Sequence, residues 1–205
     1  MGELTDPRPL ARVATIVVAV WVASELRLHV LLFRALTNLS LSGVGYRAHP
    51  EMIGLAGLFQ LLSYLLNAVV VGRWIWRTNR NAHILAEGMS VTSGWAVGWF
   101  FVPVANLWKP FEGLKETWQV SHDPANWPLV SVPALLRWWW GLWVGVNLGR
   151  NAEILLGSQS ITLGPPGWVD AVVTFAGVGH GLLLIPFVLR LSAAQAKTIS
   201  AYTFA

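Results

Sequence analysis

Residues Ser93–Val120 read SGWAVGWFFVPVANLWKPFEGLKETWQV. The apolar part, Gly94–Trp108, is uncharged, carries Trp95, Trp99 and Trp108, and is broken by Pro103. As a helix these residues would rise only about 22 Å, against a hydrocarbon core of roughly 30 Å. A charged, amphipathic stretch follows at Lys109-Pro110. The segment is apolar enough to enter a bilayer and too short to cross it comfortably. How it sits decides the side on which everything after it lies.

At 205 residues, the chain is 55% hydrophobic and 12% charged, about half the charged fraction of a soluble domain, and its mean hydropathy is +0.54. Thirteen tryptophans suit membrane interfaces, where an apolar ring with one N–H fits the headgroup level. With no cysteine there is no disulfide framework and no thiol chemistry. Four apolar runs are long enough to span: 10–36, 52–76, 134–156 and 168–191. His49-Pro50, Asp123-Pro124, Trp127-Pro128 and Gly164-Pro-Pro-Gly167 punctuate them. The first resembles a signal peptide, with Arg8 and Arg12 ahead of an apolar run. Hydrophobicity resumes through Leu26, Val30 and Phe33, however, which favours a retained helix.

Basic residues set the orientation. Let the N-terminus be cytoplasmic and 94–108 not cross. Arg8, Arg12, Arg73, Arg77, Arg80, Lys109, Lys115, Arg137, Arg190 and Lys197 then lie inside, and Arg34, Arg47 and Arg150 outside. If the segment crosses, the bias disappears. The sequence therefore predicts an all-α integral membrane bundle of four spans. A short Pro-broken re-entrant or interfacial element at 94–108 and an amphipathic helix at 110–120 complete it, with both termini cytoplasmic in a bacterial inner membrane. Five spans is the alternative. In 110–120, Phe111, Leu114 and Trp118 share a face while Glu112, Lys115, Glu116 and Gln119 face away. This predicts a helix lying in the interface plane, or one packed on the protein's own cytoplasmic side.

The stretches WAVGWFFVPVANLWKP (95–110), ETWQVS (116–121), WWWGLW (138–143) and RTNRNA (77–82) resemble the bacterial membrane family catalogued as domain of unknown function 4328. The resemblance covers roughly residues 50–190 and implies a multi-helix membrane protein. It brings no catalytic residue or ligand.

Ionisable side chains at membrane depth are costly unless paired, so each is a candidate. The first run holds Glu25, Arg27 and His29; the third holds Asn147, Arg150, Asn151 and Glu153. Glu25 stands thirteen positions beyond Arg12, and Arg150 thirteen beyond Arg137. If both helices run outward the two lie at similar depth, which predicts a Glu25–Arg150 ion pair, with Arg27–Glu153 beside it. A register-fixing buried pair and a polar cavity are the competing uses. His180, within Gly177-Val-Gly-His-Gly181, reads as a histidine bonded to a neighbouring helix; a haem with His29 as second ligand is the weaker alternative. No cofactor or metal is expected.

Gly141, Gly145 and Gly149, and Gly177 with Gly181, form small-residue faces for packing within the bundle or for homo-oligomerisation. In the broken segment, Trp95, Trp99, Pro103 and Asn106 make a candidate site, with Asn106 placed to satisfy carbonyls freed near Pro103. Arg73, Arg77 and Arg80 with Trp74 and Trp76 form a basic, aromatic cluster for lipid or an acidic partner. The basic residues lie at the ends of apolar runs rather than in one patch, which argues against nucleic acid. No phosphate-binding glycine loop, zinc-protease or serine-hydrolase motif occurs. The functional expectation is a non-enzymatic membrane module that assembles with or regulates a membrane partner. A small transporter or channel component and a haem protein are the alternatives.

Overall fold

The computed structural model describes residues 3–41, 50–156 and 168–203, and they are all-helical, with no strand among them. Six α-helices follow in order: α1 Arg8–Leu41, α2 Pro50–Leu85, α3 Ser93–Gly98, α4 Lys109–His122, α5 Ala134–Leu156 and α6 Trp168–Thr203. Prolines mark the starts of α2, α4 and α5, where a fixed φ and a missing N–H are tolerated. Pro50 opens α2, Pro110 lies in the first turn of α4, and Pro133 precedes α5. At α1, the Asp6 carboxylate accepts the Arg8 N–H at 2.9 Å and pairs with its guanidinium at 2.8 Å.

Helix α1 packs between α2 and α6, and α5 covers the other flank of α6. Three segments are long and apolar enough to cross a membrane: Arg8–His29, Gly54–Leu85 and Ala171–Tyr202. Helix α5, which carries Arg137, Asn147, Arg150 and Asn151, is not among them. Helices α2 and α6, at 36 residues each, are about 54 Å long, well beyond a hydrocarbon core. They run past the ends expected from hydropathy at residues 76 and 191. The apolar pattern stops there, but the helices continue because their polar residues find partners in one another.

That continuation builds a buried polar core. Gln195 donates to the Thr78 carbonyl at 2.9 Å and to Ser121 Oγ at 3.1 Å. Asn81 donates to Gln195 Oε1 at 3.0 Å and to the Thr5 carbonyl at 2.7 Å, while Thr5 N–H returns a bond to Asn81 Oδ1. Asn79 donates to Thr117 Oγ1, Trp74 to Ser192 Oγ, and Thr198 to the Ser121 carbonyl. These residues are buried, apart from the half-buried Thr198 and exposed Thr5. They knit the N-terminal segment, α2, α4 and α6 at one end of the bundle.

Beside this polar core lies an aromatic one. Phe187, fully buried, stacks on Trp118 and Trp139 (centroids 5.8 and 6.0 Å) and meets Trp74 edge-on at 6.1 Å. Interface anchoring was expected of the tryptophans. Trp21, Trp74, Trp118, Trp139 and Trp140 instead form part of the core, because one side chain can fill the large gap between helices carrying small residues.

The face prediction for α4 also needs correction. Phe111, Leu114 and Trp118 do pack inward, but Glu116 and Gln119 are buried rather than facing away. Glu116 accepts Ser90 Oγ at 2.6 Å and the Ser90 and Val91 N–H groups at 3.0 and 3.3 Å. Gln119 donates to the Val130 carbonyl at 2.7 Å. Of the two placements, α4 is the helix packed against the protein's own end.

Candidate functional site

Glu25 on α1 is almost wholly buried and both its oxygens are engaged. Arg150 of α5 reaches Oε1 at 2.9 Å, and Gln60 of α2 donates to Oε2. The Ser24 hydroxyl lies 2.6 Å from Gln60 Oε1 and 2.9 Å from the Ser63 hydroxyl. One turn on, His29 contacts the Glu25 carbonyl at 2.9 Å through Nδ1 and Thr174 Oγ1 of α6 at 2.7 Å through Nε2. The four long helices are thus joined through one polar level. Its reach to α2 and α6 was not anticipated: Ser24, Gln60, Ser63 and Thr174 were passed over. Their signal is present in the sequence, since Gln60 and Ser63 are polar positions three apart, with Asn67 four beyond, in a largely apolar run.

The other predicted members lie apart. Asn147 and Asn151 donate to carbonyls four residues back, Trp143 and Asn147, within α5. Arg27 is exposed on α1, and the Glu153 side chain lies outside the described residues. His180 Nδ1 lies 3.4 Å from the Trp139 carbonyl, with its ring stacked on Trp139 at 5.1 Å and edge-on to Trp21 at 6.4 Å. His29 and His180 therefore have different partners on different helices. Seating an iron on His29 would require breaking one of its two nitrogen contacts.

The Pro103 segment folds as α3, a 3-10 turn at Trp99–Phe101, a tight turn, and a second 3-10 turn at Ala105–Leu107. Trp95 and Trp99 stack at 4.4 Å. Ala105 N–H reaches the Pro103 carbonyl at 2.8 Å around Val104, whose φ of 67° and ψ of −54° form the rare positive-φ γ-turn. For a β-branched residue this is a strained conformation. The expected role for the Asn106 side chain does not hold: its amide makes no hydrogen bond among the described residues. The freed carbonyls of Trp99, Val102, Val104 and Ala105 are taken by backbone N–H groups, and that of Leu107 by Trp140 Nε1 at 3.1 Å. Phe100 and Phe111 rest on Trp140, and Phe100 also on Trp143. The two ends of the segment meet again where Ser90 and Val91 bond Glu116, and Trp127 Nε1 lies 3.3 Å from the Glu87 carbonyl.

The glycine faces are used in part. A Cβ at Gly149 would fall 2.6 Å from Val173 Cγ2, and one at Gly181 would collide with Val22 and Trp21; Gly141, Gly145 and Gly177 meet nothing. Arg73 and Arg80 are exposed and lie over the Trp76 ring at 4.8 and 5.2 Å, with Arg77 half-buried between them.

A family match described as Domain of unknown function (DUF4328) covers residues 38–193. The chain belongs to this family. The match includes the Pro103 segment, α4, α5 and the Asn-bearing end of α2, and it assigns none of them a role. No curated protein and no solved structure matches the chain. Among the described residues no group of three or more His, Cys, Asp or Glu side chains is arranged to hold a metal.

Proposed function

We propose that this protein is a non-enzymatic helical module of the bacterial inner membrane that assembles with or regulates a membrane partner. It has four spans, α1, α2, α5 and α6. Residues 94–108 are half-inserted from the cytoplasmic side, where both termini and α4 also lie. Self-satisfied turns support the half-inserted placement, because backbone at membrane depth must close its own hydrogen bonds. The observation that carries the non-enzymatic reading is the state of Glu25: 3% exposed, with both oxygens held by Arg150 and Gln60. A buried carboxylate with both oxygens paired across helices fixes register rather than passing a solute.

The test uses the absence of native cysteine. Ser24→Cys places a thiol in this polar level, and a small water-soluble thiol reagent should leave it unmodified. Rapid modification from one side would contradict the proposal and favour a transporter or channel component, a reading that draws on the half-exposed Arg150 side chain. Assembly is tested by photo-crosslinking from Leu61 and Tyr64, exposed on α2. A discrete adduct with one membrane protein is expected; adducts with lipid alone would refute assembly through this helix.

A further inference from the structure

Arg73, Arg77 and Arg80 follow one stripe of α2, spaced four and three residues apart, so they share a face. The same stripe runs back through Val69, Leu66 and Leu62, all exposed. Apolar side chains therefore lead directly into three guanidinium groups at the end of an apolar helix. None of the three forms an ion pair or side-chain hydrogen bond among the described residues. Two of them lie over Trp76, whose amphipathic ring suits the headgroup level and whose π-face holds the cations in place. With Asn81, Thr5 and Glu3 these residues line a cleft of about 180 Å³. Asn81 pins Thr5 in both directions, at 3.2 and 2.7 Å, so the extended N-terminal segment forms one wall. Three guanidinium groups face a single carboxylate, Glu3, which leaves the cleft strongly positive.

We propose that this cleft binds the phosphate of an anionic phospholipid, with one acyl chain lying along Leu62, Leu66 and Val69. Guanidinium forks match phosphate oxygens bidentately. The apolar stripe below the arginines distinguishes a lipid from a soluble phosphate, which would have no use for it.

The experiment is native mass spectrometry of the full chain from non-ionic detergent containing equal phosphatidylglycerol and phosphatidylcholine. The wild type should retain phosphatidylglycerol selectively. The triple variant Arg73→Gln/Arg77→Gln/Arg80→Gln should lose affinity by on the order of a hundredfold. Removing as much positive charge elsewhere, by Arg137→Gln/Arg190→Gln/Lys197→Gln, should leave retention unchanged. Equal losses in both triples would reduce the effect to net charge and overturn the site. Inorganic phosphate is the second arm: it should not displace the lipid, and displacement at matched concentration would assign the cleft to soluble phosphates. Failure of this site leaves the Ser24→Cys test of the bundle untouched, so the two proposals fall separately.

Discussion

A carboxylate buried among helices is tolerable only where every oxygen has a partner, and Glu25 meets that condition through Arg150 and Gln60. Removing one partner leaves the other costly. Arg150→Met and Glu25→Gln should each lower stability by about 1–3 kcal/mol, below the fully buried range because Arg150 is half-exposed. The swap Glu25→Arg/Arg150→Glu should recover part of it in detergent melts; no recovery would mean that Gln60 and packing dominate. Val104 makes the opposite prediction. Its positive φ stores strain while its side chain is exposed, so Val104→Gly should stabilise by up to about 1 kcal/mol, and a lower melting temperature would contradict the γ-turn. At the N-terminus, the Arg8 hydrogen bond holds the Asp6 carboxyl below its ordinary value. A depressed carboxyl adds stability that is present above its unfolded pKa and fades as pH falls through the folded one. Asp6→Asn should therefore lower stability slightly at neutral pH and remove the small stability slope below about pH 4, so that variant and wild type converge in acid; equal melting temperatures at neutral pH would contradict this.

Among elements, the helix ends that protrude past the apolar runs are held by side-chain amides rather than by hydrophobic burial. Gln195 serves Thr78, Ser121 and Asn81 at once. Gln195→Met, similar in volume, should cost about 2–4 kcal/mol by stranding buried groups; thermal unfolding of the variant checks it, and a near-wild-type melt would show that water replaces the amide. Close helix approach gives a second contrast. Gly181→Ala should destabilise by about 1–3 kcal/mol through the Val22 and Trp21 contacts, while Gly145→Ala, with open space, should be neutral. Run length and punctuating prolines located the long helices, and equal distance from Arg12 and Arg137 anticipated Glu25 beside Arg150. The extensions of α2 and α6 and the burial of Glu116 were not legible, because hydropathy registers the loss of apolar residues and cannot see that polar ones will satisfy each other. Trp74 and Trp139 depart from the interface expectation for a related reason: a tryptophan suits an interface and a core around Phe187 equally well.

For the molecule as a whole, everything turns on the return of the Pro103 segment to the end it left. The polar core of Asn81 and Gln195, the latch of Glu116 on Ser90 and Val91, and the basic cleft all gather there. A crossing at 94–108 would instead put α4 on the far side from the end of α2. Glu87 and Ala125 flank the segment, both are exposed, and Trp127 touches the Glu87 carbonyl. Single cysteines at these positions, in a chain that has none of its own, can be labelled with a membrane-impermeant maleimide in intact cells and in inverted vesicles. The proposed topology predicts that Glu87→Cys and Ala125→Cys label from the same, cytoplasmic side; labelling from opposite sides would contradict it.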